Sequence, residues 1–216
     1  MDSAVNDAIT EFDKAKTYYY GQQKKTGKTK AIEGKDYFAT PEPLGFKMVE
    51  WSQTPDGGRI LEPSAGHGAI SRWFSPDTDQ TIIEPSGNLA PLAQMVTPNA
   101  KVINDTFENH NLINKYDSII MNPPFGSGGK TAIDHVAKAF KHLKDGGRLV
   151  AIIPDGPSCM KHLDKWLYGN PEGKTKAERG EEDAVLMRTI NLPAATFERA
   201  GTKVQAKFIC IYEYSS

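Results

Sequence analysis

The chain has 216 residues, 26 Lys and Arg against 27 Asp and Glu, a formal net charge of −1 and 38% hydrophobic residues. That balance predicts one globular unit with a short appendage, excludes a uniformly basic nucleic-acid protein, and leaves no run near the roughly 20 apolar residues of a membrane span. The opening MDSAVNDAIT has no basic-then-apolar leader, which predicts a cytoplasmic protein, and Cys159 and Cys210 stand in neither a zinc spacing nor a disulfide framework.

Charge is uneven along the chain. From Lys14 to Lys35 seven lysines face one acid, Glu33, and the run GQQKKTGKTK has no apolar period. Ala4, Val5, Ala8, Ile9 and Phe12 predict a short amphipathic helix ahead of it, so residues 1–36 read as an N-terminal helix and basic arm. Lys24, Lys25, Lys28 and Lys30 would suit a phosphate backbone, each neutralised phosphate releasing counterions and making binding salt-sensitive. A solvated tail is the plainer alternative.

From Tyr37 to Ser216 short apolar runs alternate with helical stretches, the signature of a layered α/β domain with a mostly parallel sheet. Helix Pro43–Trp51 leads to strand Arg59–Glu62, and RILEPSAGHGAI then carries Gly66-His67-Gly68 before a predicted helix at Gly68–Phe74. Glycines there permit a tight turn and close approach to a ligand. Ser71 occupies the third position of G-x-G-x-x-G, which argues against a dinucleotide, and neither Gly129-Lys130-Thr131 nor Gly27-Lys28-Thr29 has the first glycine of a phosphate loop. Strand Thr81–Glu84 ends on an acid, and an acid at that place can accept both hydrogen bonds of a ribose diol. Helix Gly87–Met95, strand Ala100–Asn104 and strand Tyr116–Met121 follow.

Asn122-Pro123-Pro124-Phe125 comes directly after the strand YDSIIM. Two prolines hold the backbone extended and supply no N–H, so the turn offers acceptors; Asn122 adds a side-chain oxygen and Phe125 an aromatic plane. An acceptor pair beside a ring suits an exocyclic amino group on a planar base, although a Pro-Pro turn over a buried phenylalanine is also ordinary structure. Beyond it, Ile133, Val136, Ala137, Phe140 and Leu143 mark helix Thr131–Leu143. Strands Gly147–Pro154, Met187–Leu192 and Val204–Tyr214 are separated by residues 155–183, read as a loop whose stretch 168–183 is flexible; it has seven acids to five basic residues and is no basic patch. The histidines make no metal spacing.

LEPSAGHG, followed sixty residues later by NPPF, resembles the class I S-adenosylmethionine-dependent amino-methyltransferases, and within them the DNA adenine-N6 methyltransferases of gamma motif order. FATPEPLGFKMVEW resembles the segment that precedes the glycine turn in that family. LPAATFERAGTKVQAKFICIY resembles the hairpin that closes its sheet and borders the target-base pocket. The resemblance implies an α/β, Rossmann-like sheet, mostly parallel with an antiparallel last strand and helices on both faces. It implies S-adenosylmethionine as cofactor, with Thr40 and Pro41 bordering the methionyl group and Glu62, Ser64, Ala65, Gly66 and Gly68 shaping its pocket. Glu84 would hold the ribose, Asp105 would accept from the adenine amino group, and Phe107 would pack beside that ring.

The catalytic turn would be Asn122, Pro123, Pro124 and Phe125, with DNA as partner and no metal or covalent intermediate. Phe125 would stack on a flipped adenine, Phe197 being the candidate for its other side. A recognition domain usually follows the last strand in sequence-specific members, and the chain stops at Ser216. Low sequence specificity is therefore expected, as in enzymes of phages and mobile elements that modify their own DNA against restriction, which would place the protein in a bacterial or phage-infected cell. The same motifs leave open an RNA adenine-N6 or protein glutamine-N5 methyltransferase, a non-catalytic nucleic-acid-binding module, and, less readily, a dinucleotide oxidoreductase.

Overall fold

The computed structural model describes residues 39–111, 113, 115–169, 180, 181, 183–193, 196 and 205–214. The predicted helix and basic arm of residues 1–36, with Lys24, Lys25, Lys28 and Lys30, lie outside the described residues, as do Phe197 and most of the loop 168–183. Seven strands make one sheet: β1 (Arg59–Glu62), β2 (Asp79–Ile83), β3 (Lys101–Ile103), β4 (Tyr116–Met121), β5 (Leu143–Pro154), β6 (Ala184–Asn191) and β7 (Ala206–Glu213). Their order is β3-β2-β1-β4-β5-β7-β6. β1 to β5 pair in parallel, and β7 runs antiparallel to both β5 and β6. The expected mostly parallel sheet with an antiparallel last strand is what forms.

Period-2 burial builds the two faces of the core. Ile119 and Met121 of β4, with Leu149 and Ala151 of β5, join Val136 and Phe140 of helix α3 (Lys130–Phe140) and Leu163 of helix α4 (Pro157–Tyr168). Ile120, Val150 and Ile152 point the other way, onto Met48 of helix α1 (Glu42–Ser52) and Phe208. Both faces of these central strands are covered, so they read as continuous apolar runs, each fully buried Ile or Leu contributing about 1.5–3 kcal/mol. Trp51 meets the Phe208 ring edge-on at 4.3 Å and Phe140 meets Trp166 at 5.6 Å, tying a helix to the sheet on one face and two helices to each other on the opposite face.

The structure corrects the sequence reading in several places. Residues 155–183 are not one loop: Pro157–Tyr168 is a helix that buries Cys159, Leu163 and Leu167 at i, i+4 and i+8, with Pro157 at its first turn. Gly68–Phe74 is not an α-helix but a run of turns ending in the 3-10 segment Ser71–Trp73. Its physical cause is local: the Ser71 N–H goes to the Glu62 carboxylate rather than to a backbone carbonyl one turn back. Helix α2 (Ala90–Val96) is also shorter than expected. β5 starts four residues ahead of the expected Gly147, with an irregularity that pairs Tyr116 with Leu143 but Ser118 with Arg148.

Candidate active site

The order of the strands reverses between β1 and β4: from β1 the chain proceeds outward through β2 and β3, and from β4 outward through β5. Open α/β sheets bind ligands beyond the carboxyl ends of the strands at such a switch. The glycine turn follows β1, Asn122 follows β4, and Glu84 and Asn104 follow β2 and β3. The motifs singled out in the sequence therefore share one edge of the sheet.

Two carboxylates fasten the glycine turn from opposite sides. Glu62, 1% exposed, accepts from the Ser71 N–H at 2.9 Å. Glu84, also buried, accepts from the Gly66 N–H at 2.7 Å and from the Ser86 N–H at 2.8 Å. The turn closes through Ala65 N–H to Ile83 O at 3.1 Å and Gly68 N–H to Ala65 O at 2.9 Å. Gly68 sits at φ +85°, and a Cβ there would meet Val96 Cγ2 at 2.5 Å, so only glycine lets the turn lie against α2. On the other side Gly45 of α1 brings its backbone so near Ala69 that a Cβ would lie 2.7 Å from the Ala69 carbonyl oxygen.

Burial sets the charge states around this turn. Removal from water pushes the Glu62 carboxyl well above the ordinary glutamate range, against the hydrogen bonds from Ser71 and with help from the neighbouring Glu84 charge. Burial raises Glu42 as well, opposed by its ion pair with Arg72. His67 inside the turn is lowered, by burial first and by the Arg72 charge second, so it is neutral at pH 7.

At the end of β3, Asn104 donates to the Glu84 backbone oxygen at 2.8 Å. The Asp105 carboxylate accepts from Thr106 N–H at 2.7 Å and from Asn109 Nδ2 at 3.3 Å, which caps its own turn. Phe107 does not open on the cleft. It is 2% exposed, with His135 edge-on at 5.5 Å and Lys138 Nζ over its ring at 4.9 Å, and so has almost no surface left for a cofactor ring. Its place is beneath the loop, in the core. Lys138 also donates to the backbone oxygens of Phe107 at 2.6 Å and Glu108 at 2.8 Å, and His135 pairs with Glu108 at 2.8 Å.

On the other side of the switch the Asn122 amide nitrogen donates to Thr40 Oγ1 at 3.0 Å. Thr40 is 4% exposed, Pro123 is buried, and the half-buried Phe125 packs against both core clusters. The structure thus brings Thr40, Pro41, Ser64 to Gly68, Glu84, Asp105 and Asn122 to Phe125 to one edge. Sequence reasoning missed Lys138 and the Thr40–Asn122 contact. The last spans 82 positions and has no local signal; Lys138 lies outside the apolar stripe by which α3 was recognised. A cavity of about 340 Å³ lined by Gln53, Asp117, Asp145, Arg148 and Tyr212 lies at the amino ends of β4 and β5, away from all of these. Among the described residues no group of His, Cys, Asp and Glu is arranged to hold a metal ion, and no helix is long and apolar enough to cross a membrane.

Comparison with known proteins adds four findings. Residues 48–176 match the family model Methyltransferase small domain. Over 99 residues the chain is 31% identical to type II methyltransferase M.AccI of Acinetobacter calcoaceticus, a match that takes in 41% of this chain and 18% of that protein. Among solved structures, a Listeria monocytogenes protein provisionally assigned as a class I S-adenosylmethionine-dependent methyltransferase superposes with a TM-score of 0.67 at 14% identity, over 88% of this chain and 65% of the other. An rRNA methylase from Streptococcus thermophilus superposes with a TM-score of 0.57 at 12% identity, over 83% of this chain and 100% of the other. At such identities the superpositions establish a shared fold and do not select a substrate. The chain spans less than a fifth of the length of the type II relative.

Proposed function

The chain belongs to the methyltransferase small domain family, and from that premise we propose that it is a DNA methyltransferase acting on the N6 amino group of adenine. S-adenosylmethionine is its cofactor. The residues suit that molecule: a buried carboxylate, Glu84, stands beside the glycine turn where a ribose diol is taken, and Asn104 and Asp105 follow along the same edge toward an adenine amino group. In this reading Glu62 and Phe107, 1% and 2% exposed, serve the site by holding the turn and the loop in place. Bound there, the cofactor supplies a methyl group on a positively charged sulfur.

The chain's own groups do the rest by placement. An adenine N6 lone pair is delocalised into the ring and is a poor nucleophile. Asn122 Oδ1 and the Pro123 carbonyl oxygen would accept the two N6–H bonds, which favours a pyramidal nitrogen with its lone pair turned toward the methyl group. Pro123 and Pro124 offer no N–H, so at these two positions the turn presents only acceptors. The proton can leave after transfer, and no general base is needed. Holding both reactants in line can lower the barrier by about 7–11 kcal/mol. Stacking on Phe125 would return roughly 1–3 kcal/mol of the cost of extruding the base.

The observation that carries the reading is the Asn122 amide at the carboxyl end of β4, across the strand-order switch from the glycine turn. Identity to a type II methyltransferase favours DNA over RNA adenine or a glutamine amide, either of which would fit the same acceptor pair. The test is transfer of labelled methyl from S-adenosylmethionine to adenine-containing duplex DNA, with the product digested to nucleosides for mass spectrometry. N6-methyldeoxyadenosine should form with the parent and fall by at least ~100-fold with Asn122→Ala, since both orientation and a hydrogen bond are lost. Label in RNA or in a glutamine-containing peptide, with none in DNA, would replace the substrate class and keep the site.

A further inference from the structure

We propose that Lys138 is a positioning residue for the adenine end of the cofactor, acting through the turn that carries Asp105. The proposal rests on the reading above that Asp105 takes the cofactor's adenine amino group, and it is independent of which molecule receives the methyl group. The turn after β3 is bonded within itself. Asp105 Oδ1 accepts from Thr106 N–H at 2.7 Å and from Asn109 Nδ2 at 3.3 Å, and Thr106 Oγ1 accepts from Asn109 N–H at 3.3 Å. Residues 105–109 therefore form one piece. Among the described residues Asp105 Oδ2 has no hydrogen-bond partner, which leaves one carboxylate oxygen for an amino donor. These bonds fix the carboxylate within the turn, but not the turn within the protein.

Lys138 supplies that second constraint. Asn104 ties the entry of the turn to the Glu84 backbone oxygen at 2.8 Å, and the fastenings beyond it run to α3. Lys138 Nζ donates to the Phe107 oxygen at 2.6 Å and to the Glu108 oxygen at 2.8 Å, and stands 4.9 Å from the centre of the Phe107 ring. An ammonium only donates and a backbone carbonyl only accepts, so neither bond can reverse. His135, one turn earlier on the same helix, pairs with the Glu108 carboxylate at 2.8 Å. The buried Phe107 ring is a single point of attachment about which the turn could still pivot. Two backbone oxygens held on one cation remove that pivot. α3 opens at Lys130, directly after the segment that follows Phe125, so one helix is the common reference for the cofactor's adenine end and for the Asn122–Phe125 turn.

The experiment titrates the whole chain calorimetrically with S-adenosylhomocysteine and with S-inosylhomocysteine, which carries an oxygen where the adenine amino group stands. In the parent the inosyl compound should bind about 10- to 100-fold more weakly, because the Asp105 carboxylate then faces an oxygen. Lys138→Met keeps an apolar stem over the Phe107 ring and removes the donor. It should weaken the adenosyl compound about 10-fold or more while the inosyl compound moves by less than about threefold, so that the ratio of the two Kd values falls toward one. Lys138→Arg can donate to the same two oxygens and should keep most of the parental ratio. In Asp105→Ala the ratio should already be near one, and adding Lys138→Met should leave it there, because the two residues act as one unit.

A lysine that merely supports the fold would weaken both compounds alike and leave their ratio unchanged. That result in Lys138→Met overturns the proposal, as does a ratio in Lys138→Arg as low as in Lys138→Met. A parental ratio near one fails differently: it shows that Asp105 does not take the amino group and removes the reading on which the proposal rests. Neither titration uses a methyl acceptor, so a failure of DNA as the substrate class leaves the result for Lys138 standing.

Discussion

At the scale of single residues, the two carboxyls flanking the glycine turn do different work although both are buried glutamates at strand ends. Glu84 spends its oxygens on the N–H groups of Gly66 and Ser86, so it shapes the pocket edge it would also serve. Glu62 faces Ser71 inside the protein, where burial favours its neutral form. The sign for stability follows. A carboxyl whose pKa is higher in the folded than in the unfolded chain binds its proton more tightly when folded. Its contribution is therefore complete below the unfolded value and lost as pH rises through the folded one. Glu62→Gln keeps an oxygen for the Ser71 N–H and cannot ionise. It should match the parent in denaturant midpoint near pH ~4 and exceed it near pH ~8. The same difference at both pH values would show that the carboxyl titrates normally. That Glu62 and Glu84 matter was legible from their places at strand ends, but not that both are buried, since burial is set by the elements that pack around them.

At the scale of elements, α4 is the instructive case. Every local signal for it is present: Pro157 opens it, Cys159, Leu163 and Leu167 repeat on one face, and Gly169 follows its last residue. The polar, glycine-containing tail after Tyr168 masks those signals over the interval as a whole. The helix is more than a connector, because Leu163 is fully buried in the core cluster that includes Phe107 and Met121. Leu163→Ala should lower unfolding free energy by about 2–5 kcal/mol, measured by chemical denaturation. A cost under ~0.5 kcal/mol, typical of a surface change, would mean the helix does not pack as described. The opposite error, a helix expected at Gly68–Phe74, shows a side chain overriding local propensity: once Glu62 takes the Ser71 N–H, the segment has too few residues left for an α-helix. Lys138 belongs to this scale too, since it anchors the loop carrying Asp105 onto α3 by two backbone oxygens.

At the scale of the whole molecule, near-neutral net charge conceals an uneven distribution, with seven lysines between Lys14 and Lys35. Should these meet a phosphate backbone, replacing Lys24, Lys25, Lys28 and Lys30 by Gln would weaken DNA binding at low salt. It would also flatten the slope of log K against log salt by up to ~3–4, close to one unit for each phosphate no longer neutralised. An unchanged slope would return the segment to a solvated tail. The chain by itself determined the class of architecture, because alternating apolar runs and helical periods admit few packings, and it placed the glycine turn and the Asn-Pro-Pro-Phe turn at strand ends, because those motifs directly follow β-type segments. Only the tertiary structure decided that both turns meet at the reversal between β1 and β4, that Phe107 is a core residue, and that Thr40 meets the Asn122 amide. The reason is one of range: turn chemistry and periodicity act over a few residues and are written locally, whereas a hydrogen bond between positions 82 apart exists only once the sheet has brought its strand ends together.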